Sequence, residues 1–330
     1  MIISRTPFRL PLGGGGTDLP EYYSRHGSFY ISAAIDRYVY LTVNGRTIDR
    51  QIWLSYSRIE QVTTLQDIQH ELFRECLRDT GVTEGVEIHS VTELSGGTGM
   101  GSSGSFCVGL LNALYAFKGE RADAKTLAEK AFEIEAHKVG SPVGKQDQYI
   151  AAYGNIRAFE IDRQGVVSTR LIDLPPEARM HLNSGLMLFY TGVQRRADTI
   201  LKEQSAQLEK KQSAAAESLH EIKEIGQRTA KALEAGNVDE IGPLMHQHWL
   251  AKKRISTKMT LSWIDECYDL AMTLGATGGK IVGAGGGGFL MLYVPDFKAR
   301  SVIRERLEKE GLRYMPFQFE NVGSQIVMQD

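Results

Sequence analysis

The chain has 330 residues, of which 42% are hydrophobic and 24% are charged, a composition typical of ordinary folded globular proteins. Its formal net charge of −2 argues against a general nucleic-acid or membrane-surface role, and no apolar run predicts a membrane span or a signal peptide. Three widely spaced cysteines, none in a CxxC pair, argue against a disulfide framework and a structural zinc site. We expect a cytoplasmic protein with one large domain or two fused domains.

The first half of the chain predicts a mixture of strands and helices. Strands are indicated by β-branched and aromatic residues or by alternating polarity, and helices by longer apolar stretches. The predicted elements, in chain order, are two strands over 28–44, a half-buried strand over 85–92, helices over 106–117 and 126–137, and a strand pair over 155–161 and 166–171.

The pair Pro175-Pro176 breaks helices and strands, and we expect the boundary between domains 1–175 and 176–330 there. After it, helical patterns dominate and strands flank them, which is consistent with the α+β fold class that the family resemblance described below implies. The predicted elements are a buried strand over 185–190, a helical region over 199–235, helices over 237–254 and 260–274, and a strand over 280–294 that runs through four glycines.

A glycine- and serine-rich run, LSGGTGMGSSGS, occupies Leu94–Ser105 between a predicted strand and a predicted helix. A helix N-terminus offers free N–H groups and the positive end of the helix dipole, and glycines let the backbone approach an anion. Ser102 and Ser103 add hydroxyls that suit a phosphate or Mg²⁺. From the residues alone, a phosphate-binding loop and a flexible loop with a serine cap are both open. The GK[ST] ending of a Walker A loop is absent.

Two further glycine runs lie near the ends of the chain. One is RLPLGGGGTD over Arg9–Asp18, and the other is KIVGAGGGGF over Lys280–Phe289. Each is consistent with an ordinary turn. Each is also consistent with a backbone that approaches a ligand, and in the first run Thr17 and Asp18 would then bond substrate hydroxyls.

Together these runs resemble the motifs of the GHMP kinases. Leu94–Ser105 resembles their central phosphate-binding motif, with Ser95 where the family usually has proline. Arg9–Asp18 resembles their N-terminal substrate motif, and its GGGGTD form is most similar to sugar-1-kinases that act on heptose phosphates and to fucokinase domains. Lys280–Phe289 resembles the third motif, K-x-x-G-x-G-G-G-G. The three runs have the family's order and spacing, and they span nearly the whole chain.

The resemblance implies the two-domain GHMP kinase fold, with an N-terminal ribosomal-protein-S5-like α/β domain and a C-terminal ferredoxin-like α+β domain. It implies transfer of phosphate from ATP, with Mg²⁺, to the anomeric hydroxyl of a sugar phosphate. A kinase for an unphosphorylated sugar such as fucose and a non-catalytic sugar-binding relative are the alternatives. The expected partners are a small-molecule sugar phosphate and ATP, with no nucleic acid, no membrane and a possible homodimer.

The resemblance also assigns roles to charged residues. Asp147 matches the aspartate that accepts the proton of the acceptor hydroxyl, with Arg9 as its partner, and Glu135 matches the acid that binds magnesium. From the residues alone, the alternative role for Asp147 is a helix N-cap, since QDQYIAA is able to start a helix. Glu133 and Glu135 lie two apart on a helix and face different directions, so one of them is expected to be solvated.

The remaining expected site residues fall into three groups. ATP is placed at Gly97, Gly99, Met100, Gly101, Ser102, Ser103, Gly104 and Ser105, with Ser103 or Ser102 as a second metal ligand. The substrate is placed at Gly14, Gly15, Thr17, Asp18, Gly285 and Gly286. A substrate phosphate would need basic residues, for which the candidates are Arg195-Arg196 and Lys252-Lys253-Arg254, although most charge runs are solvated faces. All eight histidines are expected to be structural.

Overall fold

Two β-sheets with helices packed on them organise this computed structural model, which describes residues 1–194 and 214–330. The strands are β1 Ile2–Gly13, β2 Ser28–Gly45, β3 Ile52–Ser55, β4 Ile59–Val62, β5 Val86–Thr92, β6 Ile156–Ile161, β7 Val167–Leu171, β8 Leu186–Tyr190, β9 Gly278–Ile281, β10 Phe289–Tyr293, β11 Arg313–Met315 and β12 Gln325–Gln329. The helices are α1 Pro20–His26, α2 Glu71–Thr80, α3 Ser102–Phe117, α4 Ala124–Phe132, α5 Gln146–Tyr153, α6 Pro176–Gly185, α7 Ala214–Glu234, α8 Ile241–Lys253, α9 Ser262–Thr273 and α10 Phe297–Lys309.

The larger sheet has the strand order β12-β1-β2-β5-β3-β4, and β6 joins β2 to β7. Its pairs are antiparallel except β3 with β5. Helix α3 contacts β1 and β2 and packs beside α4 and α5, so one large core lies between the sheet and these helices. This packing brings the N-terminus of α3 next to β1.

The smaller sheet has the order β11-β8-β10-β9, with all pairs antiparallel. Its apolar face shares a second core with side chains of α7, α8, α9 and α10. The last strand, β12, returns to the larger sheet and pairs with β1. The boundary near residue 175 stays a prediction. None of the described helices is long and apolar enough to cross a membrane.

Most predicted elements are confirmed, but two strand predictions were wrong. Residues 28–44 form one strand, because β2 changes neighbours without ending: its first part pairs with β6 and its second part with β5. Residues 280–294 form a hairpin, β9 with β10. Gly283 and Gly285–Gly288 have φ between 73° and 153°, a conformation that reverses the chain and that suits glycine.

Strand β1 was not predicted from the sequence, because it contains two prolines. Pro7 and Pro11 lack the N–H group that a strand interior needs. The structure accommodates each beside a register shift in the pairing with β2, between Pro7 and Phe8 and between Pro11 and Gly13. The part of the helical prediction that covers 195–213 lies outside the described residues.

Candidate active site

The three glycine runs meet around one cavity of about 560 Å³ between the two sheets. The larger sheet supplies the end of β1, and α3 and α5 supply their first turns. From the other side come side chains of α7, α8 and β9. The lining includes Arg9, Gly15, Asp18, Gly97, Gly99, Gly101, Ser102, Ser103, Gln146, Asp147, His248, Lys252, Lys280 and Gly283.

The phosphate-loop candidate runs directly into the N-terminus of α3, a helix of 16 residues that begins at Ser102. Its free N–H groups and dipole favour an anion at this end. A side chain at Gly99 would put its Cβ 2.5 Å from the carbonyl oxygen of Val282, and Gly99 has φ +78°. Only a glycine at position 99 therefore lets the backbone of the Leu94–Ser105 run contact the backbone of the Lys280–Phe289 run.

An arginine and an aspartate from distant parts of the chain form an ion pair in the cavity wall. Nε and Nη2 of Arg9 both lie 2.7 Å from Oδ1 of Asp147, the second residue of α5. Nη1 of Arg9 donates to the carbonyl of Gly99 at 2.5 Å, so the guanidinium also contacts the phosphate loop. The Arg9 side chain is 6% exposed and that of Asp147 is 29% exposed. The carboxylate is therefore reachable from the cavity, and the Arg9 guanidinium holds it in position.

The first turn of α5 also holds a buried carboxylate from the N-terminal run. Asp18 accepts hydrogen bonds from the backbone N–H of Gln146 at 3.0 Å and of Gly16 at 3.1 Å. Burial raises the pKa of the Asp18 carboxyl, and these N–H groups offset part of the effect. Nε2 of Gln146 has no hydrogen-bond partner among the described residues, although Gln146 is buried. This unsatisfied donor belongs to a residue that lines the cavity.

A group of basic side chains lines the cavity beside the third glycine run, whose Gly283 contacts Gly99 of the phosphate loop. Lys280 of β9 is buried, and its Nζ lies 3.3 Å from Nδ1 of His248 and 3.4 Å from the carbonyl oxygen of Leu12. Burial, followed by repulsion from Lys252 and Arg9, lowers the pKa of Lys280 well below its ordinary value. His248, which the sequence analysis treats as structural, is therefore part of the cavity wall. Nothing in its sequence context distinguishes it from the other histidines.

The two acids considered for magnesium differ sharply in environment. Helix α4 continues into a π-helical turn, Glu133–Lys138, a feature that often marks functional sites. Within it Glu133 is exposed, whereas Glu135 is buried and accepts a hydrogen bond from Nε2 of Gln148 at 2.6 Å. Glu135 is absent from the described cavity lining, whereas Ser103 is part of it.

Several residues expected to touch ligands turn inward instead. Thr17 is fully buried, and its hydroxyl bonds the carbonyl of Gly14 at 2.8 Å and the hydroxyl of Ser28 at 2.7 Å. The Met100 side chain lies in the core, and Ser105 Oγ donates to the carbonyl of Pro7 at 2.8 Å. The expected residues absent from the described cavity lining are Gly14, Thr17, Met100, Gly104, Ser105, Glu135, Gly285 and Gly286. Arg195 and Arg196 lie outside the described residues.

Comparison with known proteins identifies the family. The model for the N-terminal domain of GHMP kinases matches residues 67–155, and the model for GHMP kinases C terminal matches 229–312, together just over half of the chain. Among characterised proteins, the D-glycero-alpha-D-manno-heptose 7-phosphate kinase of Campylobacter jejuni is 27% identical, over 98% of this chain and 97% of that protein. The L-fucokinase/L-fucose-1-P guanylyltransferase of Bacteroides fragilis is 22% identical, over 99% of this chain but 38% of that protein.

Solved structures agree on the fold. The crystal structure of a D-glycero-D-manno-heptose 1-phosphate kinase from Bacteroides thetaiotaomicron superposes with a TM-score of 0.81, at 24% identity and over 100% of both chains. The expected two-domain GHMP kinase fold is confirmed by this likeness and by the two family models. Because the N-terminal and C-terminal family models both match, in that order along the sequence, the chain belongs to the GHMP kinase family.

Proposed function

We propose that the chain is a sugar kinase that transfers phosphate from ATP to the anomeric (C1) hydroxyl of D-glycero-D-manno-heptose 7-phosphate, which gives the 1,7-bisphosphate. The ion pair between Arg9 and Asp147 beside the N-terminus of α3 carries this proposal. It joins a phosphate cradle to a group that takes the acceptor's proton, and phosphoryl transfer to a hydroxyl needs both of these as well as a metal ion. The sugar is suggested by the relative that is similar over the full length.

In the proposed reaction, the C1 oxygen of the sugar forms a bond to the γ-phosphorus of ATP. The bond from that phosphorus to the β–γ bridging oxygen breaks, and ADP leaves with the electron pair. Asp147 accepts the proton of the C1 hydroxyl, while Arg9 holds Asp147 in place and adds positive charge near the transferred group. The N–H groups of the loop Gly97–Ser103 hold the phosphate oxygens.

Mg²⁺ is the proposed metal, with Ser103 and Glu135 as its protein ligands. Among the described residues, no group of three or more His, Cys, Asp or Glu could hold a metal ion by itself. Oxygen donors from one or two side chains nevertheless fit Mg²⁺, which takes its other ligands from water and from substrate phosphates. When bound, it would neutralise charge on the phosphates of ATP.

The sugar is proposed to lie between α5 and the N-terminal glycine run. Asp18 and Nε2 of Gln146 present an acceptor and a donor to its hydroxyls, and Gly15 leaves room beside them. The buried Thr17 keeps the shape of this run through its contacts with Gly14 and Ser28. A cytoplasmic location and a homodimer stay predictions.

A coupled assay of ADP release tests the function. The purified chain, ATP and Mg²⁺ are combined with heptose 7-phosphate, with unphosphorylated heptose or with L-fucose. The highest kcat/KM is expected for heptose 7-phosphate. A higher kcat/KM for an unphosphorylated sugar would favour the fucokinase-like alternative. Sugar binding without turnover of any sugar would favour the non-catalytic one.

A further inference from the structure

Two lysines line the cavity, Lys280 buried and Lys252 half-buried, and neither has an acidic partner among the described residues. Lys252 of α8 donates to the carbonyl of Gly283, and Lys280 of β9 donates to the carbonyl of Leu12. Within residues 1–194 and 214–330, no carboxylate lies at ion-pair distance from either ammonium group. A buried charge is costly unless an opposite charge compensates it. The pair therefore suits a ligand that supplies negative charge.

The structure separates Lys252 from the basic residues that follow it. Lys253 lies 3.4 Å from a carboxylate of α9, and Arg254 pairs with a glutamate of α7. Neither residue lines the cavity. The cationic pair thus combines one residue of the basic run with Lys280, which is distant in the sequence.

The surroundings of the two lysines repel positive charge. Burial, followed by the charge of Arg9, lowers the pKa of Lys252 to about 8. Burial, followed by the charges of Lys280 and Lys252, lowers the pKa of His248 well below its ordinary value, so this imidazole is neutral at pH 7. Asp147 is paired with Arg9 and compensates only that charge. An anion bound between the lysines would relieve the repulsion.

We propose that Lys252 and Lys280 form the subsite for the distal phosphate of the acceptor sugar, an inference that rests on the proposed function. A phosphate monoester carries about −1.5 to −2 charges at pH 7, and this negative charge would favour the ammonium form of both lysines. Lys280 contacts Leu12, the residue just before the Gly13–Gly16 run on the acceptor side. The transferred phosphate of ATP already has the N-terminus of α3 and Arg9 as partners.

The test compares two sugars in four forms of the full chain: wild type, Lys252→Met, Lys280→Met and the matched control Lys253→Met. For heptose 7-phosphate, either cavity variant is expected to raise KM by about 10- to 150-fold, the range for loss of one charge-assisted contact. For unphosphorylated heptose, KM should stay within about threefold of wild type. Lys253→Met should leave both values unchanged, because Lys253 pairs with α9 outside the cavity. Calorimetric titration of heptose 7-phosphate without nucleotide gives the same comparison for binding alone.

Each other outcome overturns the inference in a different way. Equal losses with both sugars, seen in kcat, would make the lysines part of phosphoryl transfer. Unchanged kinetics in both cavity variants would mean that neither lysine reads the phosphate. If the wild type itself prefers the unphosphorylated sugar, the proposed function fails together with the subsite. A melting curve checks folding, and Lys280→Gln, which keeps a donor without the charge, replaces Lys280→Met if that variant does not fold.

Discussion

At the scale of single residues, two aspartates in one cavity differ through their partners. Asp18 accepts two backbone N–H groups and is buried, and burial raises the pKa of its carboxyl. Asp147 pairs with the guanidinium of Arg9 and keeps an exposed edge. A proton acceptor must be reachable from the cavity, and Asp147 meets this condition.

The first prediction concerns this carboxylate. Asp147→Asn should lower kcat by about 10²- to 10⁴-fold, because an amide cannot accept the acceptor's proton. ATP binding, measured by calorimetry, should persist, since the phosphate loop is intact. Turnover near the wild-type level would remove Asp147 from the proposed role.

A second prediction separates the two glutamates of the π-helical turn. Glu135→Gln should raise the Mg²⁺ concentration needed for half-maximal activity, because one oxygen ligand loses its charge. Glu133→Gln is the matched control and should leave that concentration unchanged, since Glu133 is exposed. The reverse pattern in a magnesium titration would transfer the ligand role to Glu133.

A third prediction follows from the lowered pKa of Lys252, about 8. The charged ammonium form binds phosphate, and it is lost as pH rises through 8. The KM for heptose 7-phosphate should therefore rise above pH 8, by up to about tenfold per pH unit. The groups that face Lys252 are Arg9, Lys280 and His248, and all of them favour its neutral form or leave it unchanged.

The controls for this pH profile are the unphosphorylated sugar and the Lys252→Met variant. Neither should show the additional rise in KM. A profile that is the same for both sugars would assign the pH dependence to another group.

At the scale of elements, helices α3 and α5 approach closely because α3 carries Gly104 at the contact. An ideal Cβ on Gly104 would lie 2.8 Å from Cβ of Asp147 and 3.1 Å from the backbone nitrogen of Gln148. These atoms cannot rotate away, so a larger residue at 104 must push α5 from α3. The helix contact therefore determines where Asp147 stands relative to the phosphate loop.

We accordingly expect Gly104→Ala to cost about 1–3 kcal/mol of stability and to reduce kcat at least about tenfold. Gly96→Ala is the steric control for the melting temperature, because a Cβ there meets no atom of the described residues within 4 Å. If Gly104→Ala keeps the melting temperature and the kcat of the wild type, the close contact between α3 and α5 is not what positions Asp147.

At the scale of the whole molecule, the two ends of the chain meet in one sheet. β12 pairs with β1, which carries Arg9 at its other end, and Ser324 just before it bonds the hydroxyl of Thr6 at 2.7 Å. The C-terminal strand thus covers an edge of the sheet that holds part of the site.

Deletion of residues 325–330 should therefore lower stability by about 2–4 kcal/mol, through loss of the ladder hydrogen bonds of β12. Thermal melting should show a drop of several degrees. Deletion of Asp330 alone is the control, since its exposed ion pair with the N-terminus, at 3.8 Å, is worth little. An unchanged melting temperature for the longer deletion would mean that the edge of β1 needs no cover.

Features that depend only on residues close together in the sequence could be predicted from the sequence alone. The sequence predicted the helix that follows Leu94–Ser105 and the strand pair β6–β7, because helix termini and side-chain period are local properties. The three glycine runs could be recognised for the same reason, since the conformational freedom of glycine is also local. The pairing of Arg9 with Asp147 was expected by resemblance, and the two side chains lie 2.7 Å apart.

Only the tertiary structure decided which side chains face the cavity. Thr17 turned inward, while Lys280, His248 and Gln146 became part of the wall. Their surroundings come from elements far apart in the chain, so no local pattern marks a buried lysine that lacks an acidic partner. Burial and charge pairing are properties of the packed molecule, and the cost of an unpaired buried charge appears only when the domains enclose it.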